Sequence, residues 1–541
     1  MKHAYLKELQ SHLLGSITDN ADAIEHFSTD QSIFTATPTA VIYPQNTADV
    51  RKLVQFAAER SAGGRHIPLI PRGKGSDQGG GAIGEGLQVV FPAHMNKLLR
   101  LDANTVTVQP GMIFQALQEI LYTHGKFIAQ HPSGARYSTV GGVVASDAGG
   151  EKSVKYGTIR QAVRKLKVVL SDGSLIETSR ISAHELSHKK GLSTLEGELY
   201  RKFDSLLLDH AELIEHRRIK KVQNSAGYDL WSVRGANGSF DLSQAFIGSQ
   251  GTLGLITEIT LATTPHNFRT TLVVGYFDTV SGAGEAAKRL VEIGASAIEM
   301  VDRHLLEFHR DNRPSDLDGL VPEAIPAITL LVEFDNFSQF AQKLRSTRAE
   351  RVMRRHGASV RISTDPVEQV ALWKIRRTSV AMWLAHGSKR ALPFMEDAAV
   401  PVAKLSSLID KTYKLLKKYD LEPAIWGHAG TGNIHLQPRL ELSRPKDIEK
   451  MLKLYREYLE LVTSLGGTPS ATGNDGLLRA SYLGILYGED FYELLDAVKH
   501  VFDPLDIFNP TKKTGATEEY ARAHLRSEFN VKHLHDYLVF T

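Results

Sequence analysis

The chain contains no cysteine in 541 residues. That excludes disulfides, thiolate metal sites, a cysteine nucleophile and an iron–sulfur cluster held by its own thiolates. It leaves the compartment open, because a cysteine-free protein tolerates either redox environment. Long apolar runs are also missing: none approaches the roughly 18 residues that a spanning helix requires. The N-terminus, Met1-Lys2-His3-Ala4-Tyr5-Leu6-Lys7-Glu8-Leu9, lacks a signal-peptide apolar core and reads as the start of an amphipathic helix. The default expectation is a cytoplasmic protein, with peripheral membrane attachment left open. Net charge is only +3, so nothing global points to nucleic acid or to a membrane surface. Internal repeats and low-complexity tracts are absent, and no signal fixes an oligomeric state. With 42% apolar and 23% charged residues the composition is ordinary for a globular protein. The length suggests roughly two to four domains.

What the chain does have is two glycine-rich stretches about 70 residues apart. The first is Pro71-Arg72-Gly73-Lys74-Gly75-Ser76, continuing to Gly79-Gly80-Gly81-Ala82. The second runs from Ser138-Thr139-Val140-Gly141-Gly142 through Ser146 to Gly149-Gly150. Glycine has no Cβ, so such loops let main-chain N–H groups approach a phosphate closely. Two of them within an α/β pattern suggest one extended diphosphate ligand held from two sides, and hence a dinucleotide.

Apolar periodicity marks strands at Ala40–Tyr43, Pro68–Pro71, Gln88–Phe91, Thr105–Val108 and Lys167–Leu170, and a helix over Thr47–Arg60. A new strand–helix series opens at Arg269–Tyr276, with a strand near Ile328–Glu333. Helices are expected near Thr279–Ile293, Ser338–His356, Leu405–Tyr419, Lys446–Leu465 and Glu489–Val501. The expected organisation is a helical lead-in (1–35), a cofactor domain (36–266), an α+β cap (267–480) and a helical return segment (481–541).

Two further constellations carry chemistry. Trp373-Lys374-Ile375-Arg376-Arg377 offers a guanidinium, the natural clamp for a planar carboxylate, although a solvated basic helix face has the same spacing. Gly427-His428-Ala429-Gly430-Thr431-Gly432-Asn433-Ile434-His435 sets two imidazoles around a tight turn. They could bind a divalent metal or act as a base.

The order of these pieces resembles the flavin-linked oxidoreductases of the vanillyl-alcohol oxidase and p-cresol methylhydroxylase superfamily. Within it, the chain resembles the branch holding D-lactate dehydrogenase, D-2-hydroxyglutarate dehydrogenase and the glycolate oxidase flavin subunit. The family's Pro-Arg-Gly-Gly-Gly-Thr loop matches Pro71–Ser76 and its Thr-Ile-Gly-Gly loop matches Thr139–Gly142. Its Lys-Tyr-Gly element matches Lys155–Gly157, and its Gly-Ser-Glu-Gly-Thr-Leu-Gly element matches Gly248–Gly254 with Gln250 for the glutamate. Asn224–Leu230 and the tail Phe502-Asp503-Pro504…Asn509-Pro510-Thr511-Lys512 match as well. The resemblance implies an α+β fold: a two-subdomain FAD-binding domain of the p-cresol methylhydroxylase type, a ferredoxin-like substrate cap and a C-terminal return segment.

It also implies FAD, held non-covalently, since neither His66 nor His131 falls in an attachment motif. The cofactor contacts it implies are Pro71, Arg72, Gly73, Lys74, Gly75, Ser76, Pro132, Ser133, Thr139, Gly141, Gly142, Ser146, Gly149, Tyr156, Gly251, Leu253, Ile256, Asn509 and Lys512. The family's Trp-x-x-Arg motif puts Arg376 on the substrate carboxylate, and Asn433 joins it as a substrate contact. The implied reaction oxidises a D-2-hydroxy acid to the 2-oxo acid, with hydride passing to flavin N5 and a carrier protein, a quinone or dioxygen taking the electrons on. In metal-dependent members both histidines, here His428 and His435, bind a metal such as zinc or manganese, with a glutamate from a later Ser-x-Glu-His-Gly motif.

At that motif the sequence departs from the family. Ser470-Ala471-Thr472-Gly473 places Thr472 at the metal-binding glutamate and Gly473 at the histidine base. A neutral hydroxyl replaces poorly a hard anionic ligand, and glycine moves no proton. Asp475 and Glu396 are the candidate replacement carboxylates, and His428 or His435 is the candidate base. Three alternatives stay open: another alcohol as substrate, a transferase resembling alkyl-dihydroxyacetone-phosphate synthase, and an FAD-binding protein that has lost catalysis.

Overall fold

A computed structural model describes residues 4–384 and 387–529. The helix start at Met1–His3 and the part of the return segment beyond Phe529 lie outside the described residues. Three sheets organise the chain. The first has the order Ser16–Thr18, Ala40–Tyr43, Leu87–Val90, Leu69–Arg72, antiparallel at its first pair and parallel thereafter. The second is antiparallel, in the order Leu98–Leu101, Thr105–Val108, Leu255–Ala262, Val163–Val169, Leu175–Thr178. Apart from the strand Ser16–Thr18, both sheets lie within residues 36–266.

The stretch 1–35 is not helical throughout. Helices Ala4–His12 and Ala21–Phe27 flank the strand Ser16–Thr18, which is the edge of the first sheet. Asp49 fixes that entry, accepting from Leu14 N at 2.9 Å and Gly15 N at 2.8 Å. Gly15 is required there, because a Cβ would come within 2.1 Å of Tyr43 O. A three-residue strand is too short to leave a period-2 signal in the sequence.

The cap is a seven-stranded antiparallel sheet in the order Ala358–Ser363, Thr271–Phe277, Ile328–Phe334, Ala297–Asp302, Ile425–His428, Asn433–Leu436, Ala398–Ala399. Both faces of its centre are buried. Val273 and Phe277 pack into one apolar cluster under the helices Val280–Ile293 and Gln339–Arg355. Leu272, Val274 and Tyr276 pack into another, with Leu305 and Leu306 of the helix Arg303–Asn312. The two sets alternate along one strand, as the pleat demands. The helix Val280–Ile293 starts where the Thr279 side chain accepts from Gly282 N and stops at Gly294, which adopts φ +81°.

The return segment closes on the cofactor domain. Leu69 N donates to Ile507 O at 2.7 Å and Asn509 N to Leu69 O at 3.0 Å. Just before it, Gly227 N donates to Asp475 Oδ2 at 2.8 Å, so the chain leaving the cap is tied to the cofactor domain. No described helix is long and apolar enough to cross a membrane.

Candidate active site

One cavity of about 360 Å³ lies between the cofactor domain and the cap. From the cofactor domain it is lined by Pro71, Arg72, Gly73, Lys74, Gly75, Ser76, Pro132, Ser133, Thr139, Gly141, Gly142, Ser146, Gly149, Gly251 and Ile256. From the cap it is lined by Arg376, His428 and His435. Both glycine loops therefore share one space with Arg376, His428 and His435.

Five sequence-expected residues do not line it. Tyr156 faces the domain junction, where its hydroxyl donates to Asp335 Oδ2 at 2.8 Å. Leu253 is fully buried in the core of the cofactor domain. Asn509 sits behind the wall, its Nδ2 donating to Gly81 O at 2.9 Å and to Gln250 O at 2.7 Å, so it clamps two wall loops together. Lys512 is buried beside Asp30, Asp77 and Glu85, and burial pulls its pKa down to about 8. Asn433 is buried beside Asp397, with Nδ2 on Ala398 O at 3.1 Å.

The two glycine loops offer different things. A Cβ on Gly73 would lie 2.3 Å from Thr139 Oγ1, and one on Gly75, at φ +74°, 2.3 Å from Arg72 Nη2. The missing Cβ of Gly73 lets the two loops interlock, and that of Gly75 lets the first loop fold over its own Arg72. The N–H groups of Gly73 and Gly75 take no partner among the described residues, so the first loop presents open donors. In the second loop Val140 N and Gly141 N are satisfied by Met112 O and Pro110 O, and Gly142 N by Thr139 Oγ1. That loop offers close approach rather than charge. Donors with no Cβ in front of them are what a diphosphate needs, so these residues fit an FAD.

The first loop rests on buried charge. Arg72 donates from Nη2 to Thr29 O at 2.8 Å, and burial draws its pKa down to about 10. Burial, reinforced by Asp77, pushes the Asp30 carboxyl up to about 6. Gln250, where the family carries glutamate, donates to Asp77 Oδ2 at 3.3 Å and accepts from Gly476 N at 2.9 Å. A glutamate could make only the second bond, and it would add an anion beside Asp77.

The cap wall is built on Glu299, from the strand Ala297–Asp302. Its carboxylate is fully buried, accepts from Arg376 Nε at 2.6 Å and meets His428 Nδ1 at 2.8 Å. Burial raises its pKa, but the His428 ring and the Arg376 guanidinium outweigh burial and leave it below the usual carboxylate range. A second pair parallels it: His435 Nδ1 meets Glu396 Oε2 at 2.6 Å, and Glu396 Oε1 accepts from Gln437 Nε2 at 2.6 Å. The two imidazoles stand edge to face, with centroids 5.3 Å apart. Tyr137 also lines the cavity, and burial raises its pKa, so its hydroxyl stays a neutral donor.

The departure from the family motif has a structural counterpart in Asp397, at φ +69°. Its carboxylate accepts from Thr472 N at 2.8 Å, Thr472 Oγ1 at 2.9 Å and Gly473 N at 2.5 Å. Asp475 is committed elsewhere, paired with Lys513 Nζ at 2.6 Å with both side chains fully buried, and so cannot serve as a replacement ligand. Among the described residues no group of three or more His, Cys, Asp or Glu side chains is placed to hold a metal ion. Glu396, the other candidate replacement, is bound to His435 Nδ1, and Asp397 is occupied by Thr472 and Gly473, so neither carboxylate is grouped with the two imidazoles for zinc or manganese and the residues present do not fit the metal.

Glu299, Tyr137, Asp397, Trp383, Trp426 and Gln437 were not singled out by sequence. Glu299 had a signal: it is a lone carboxylate inside the apolar run Ala297-Ile298-Glu299-Met300-Val301. Gln437 lies two residues after His435, on the same face of the chain if extended. The others come from scattered segments and leave none.

Comparison with known proteins fits this geometry. Residues 38–179 match an FAD binding domain family, and residues 266–513 match the C-terminal domain of FAD linked oxidases. The chain is 30% identical over 529 residues to a D-2-hydroxyglutarate dehydrogenase of Escherichia coli, a match covering 94% of this chain and 51% of that protein. It thus spans about half the length of the curated D-2-hydroxyglutarate dehydrogenases it matches. It is 28% identical over 479 residues to a D-lactate dehydrogenase of Archaeoglobus fulgidus, covering 87% of this chain and 90% of that one. The solved structure of p-cresol methylhydroxylase with substrate bound shares the fold, with a TM-score of 0.68 at 13% identity, covering 95% of this chain and 96% of that one.

Proposed function

We propose, from the match of residues 38–179 to an FAD binding domain and of residues 266–513 to the C-terminal domain of FAD linked oxidases, that this chain is an FAD-dependent oxidoreductase that oxidises a D-2-hydroxy acid to the 2-oxo acid. The observation that carries the proposal is Glu299, one buried carboxylate that holds both a guanidinium and an imidazole of the cavity wall. Oxidation removes a hydride from Cα and a proton from the hydroxyl. Bound FAD supplies the two-electron acceptor for the hydride. The Gly73–Ser76 loop would hold its diphosphate, and Pro132 and Ser133 would be the residues beside its ring. No covalent link is expected, since neither His66, whose Nε2 is bonded to Asp506 O at 3.0 Å, nor His131 lines the cavity.

Arg376 gives Nε to Glu299, and its terminal nitrogens take the substrate carboxylate in two parallel charge-assisted bonds. That fixes which face of Cα is presented, and positioning of this kind supplies much of an enzymatic rate. His428 takes the hydroxyl proton. A carboxylate only accepts, so the proton on the Glu299 side belongs to Nδ1, and the neutral ring keeps its lone pair on Nε2. Glu299 then stabilises the imidazolium that forms. His435, set the same way by Glu396, is the neighbouring imidazole that passes the proton onward. A separate electron carrier or quinone reoxidises the cofactor.

The test is anaerobic mixing of the FAD-loaded protein with D-lactate, D-2-hydroxyglutarate and glycolate while following flavin absorbance near ~450 nm. Bleaching by at least one acid, abolished in His428→Ala, is the expected result. Full FAD occupancy with no bleaching by any acid would sink the reading.

A further inference from the structure

We infer, on the hydroxy-acid reading above, that the substrate is a monocarboxylic acid carrying an apolar side chain of branched-aliphatic to aromatic size, and that a dicarboxylic hydroxy acid is excluded. The first argument is a count of cations. Among the described residues, the lysines and arginines of the cavity wall are Arg72, Lys74, Arg376 and Arg479. Arg72 and Lys74 belong to the diphosphate loop. Arg479 is only 2% exposed and turned into the protein behind that wall, where it donates to Asn474 O at 2.6 Å and to Glu396 O at 2.9 Å. Arg376 is left for one carboxylate. A second carboxylate would meet no lysine or arginine on the cap side beyond Arg376 and the buried Arg479, the neighbouring imidazoles are already held by Glu299 and Glu396, and it would face the carboxylates of Glu396 and Asp397, both buried in the same wall.

The second argument is the wall beside the clamp. Val380 and Trp383 follow Arg376 by four and seven residues through a continuous run of helical turns, and all three line the cavity. Arg376–Ser379 is a 3-10 turn that runs into the helix Val380–Leu384, and it is their shared lining of one cavity that brings the three together, so whatever extends from the Cα of a substrate held by Arg376 runs along Val380 and Trp383. Trp383 is locked by Nε1 donating to Gln437 Oε1 at 2.7 Å, which ties its polar edge and leaves ring surface for contact. Trp426, stacked on His435 with centroids 6.2 Å apart, adds a second aromatic side. Two indoles and a valine reward an apolar group and give a carboxylate nothing in exchange for its water.

The experiment measures kcat/KM with an artificial electron acceptor for D-lactate, D-2-hydroxyisocaproate, D-phenyllactate, D-malate and D-2-hydroxyglutarate, in the FAD-loaded full chain and in Trp383→Ala. The apolar acids are expected to exceed the two dicarboxylic acids by about 100-fold or more, the scale set by leaving a buried charge unpaired. Trp383→Ala should raise KM for D-phenyllactate by about 10-fold while D-lactate changes by less than about 3-fold, the loss of one apolar wall. A folding defect would instead depress all five acids alike, so FAD content is measured in parallel. If D-2-hydroxyglutarate matches or exceeds the apolar acids, this inference is overturned while the hydroxy-acid reading stands. If none of the five is oxidised, that reading falls and takes the inference with it.

Discussion

Replacing Glu299 with glutamine keeps the shape of the side chain and removes its charge. The carboxylate is fully buried between a guanidinium at 2.6 Å and an imidazole at 2.8 Å. An opposite charge at about 4 Å contributes roughly 4 kcal/mol at an effective dielectric of 20, and breaking a buried pair by removing one partner costs about 3–5 kcal/mol. The cap should therefore unfold at lower temperature. The kinetic consequence is more specific. A glutamine amide can donate where the carboxylate could only accept, so it can hold the His428 ring with its proton on Nε2. That tautomer has no lone pair for the substrate hydroxyl.

General base catalysis contributes about 10²–10⁴-fold, so the limiting rate of flavin reduction in Glu299→Gln should fall by about that factor. Binding should respond differently. Arg376 keeps its charge and loses the anion that competed for it, so the substrate dissociation constant should stay within about 10-fold of wild type, the geometric loss and the electrostatic gain offsetting each other. Rapid-mixing reduction over a range of substrate concentrations separates the two quantities, and flavin absorbance reports FAD retention. A limiting rate within about 3-fold of wild type, or a defect confined to the dissociation constant, would refute the claim that Glu299 sets the base.

Two further predictions concern the diphosphate loop. Gly73→Ala places a Cβ 2.3 Å from Thr139 Oγ1, where the interlocked loops cannot give way, so the purified variant should lose most of its FAD by absorbance while keeping its far-UV circular dichroism. Retention of stoichiometric FAD would count against the loop assignment. Burial and Asp77 raise the Asp30 carboxyl to about 6, against 3.8 unfolded, so the folded state binds the extra proton between those values. The stability this gives is present below about 4 and lost as pH rises through about 6, up to roughly 3 kcal/mol for two pKa units. The melting temperature of Asp30→Asn minus that of wild type should therefore be more positive at pH 7 than at pH 4.5, and a gap that narrows with pH would contradict it.

Much of the fold was legible because helices and strands longer than about four residues carry their own periodicity. The helix Leu405–Lys418 and the strand Thr271–Phe277 fall within a residue or two of where the apolar pattern puts them. The Ser16–Thr18 edge was not legible, since its partner is fixed by Asp49 and by the close passage of Gly15, both tertiary facts. Half of the site was legible for a similar reason. A glycine loop is local, and the His428–His435 turn is local. The Glu299 pairing joins strands and turns 77 and 129 positions apart, and no window sees it.

The hardest feature to read was why Thr472 and Gly473 stand where related enzymes carry an acid and a base, and the structure gives this departure a physical cause that can be tested by reversing it. Asp397 occupies the loop with its carboxylate turned onto Thr472 and Gly473, taking three donors from them. Restoring an acid as Thr472→Glu deletes one of those donors, the hydroxyl, and sets a second anion against the first. At about 4 Å and an effective dielectric of 20 that repulsion is roughly 4 kcal/mol, more than one hydrogen bond returns. Thr472→Glu alone should therefore lower the melting temperature and acquire no metal, although it recreates the family's ligand. Asp397→Asn combined with Thr472→Glu removes the opposing charge, so it should recover part of that loss and, if His428 and His435 can then converge with the new carboxylate, bind zinc measurably by elemental analysis. A single variant as stable as wild type would mean that Asp397 does not exclude the acid, and the cause of the departure would have to lie elsewhere in the cap.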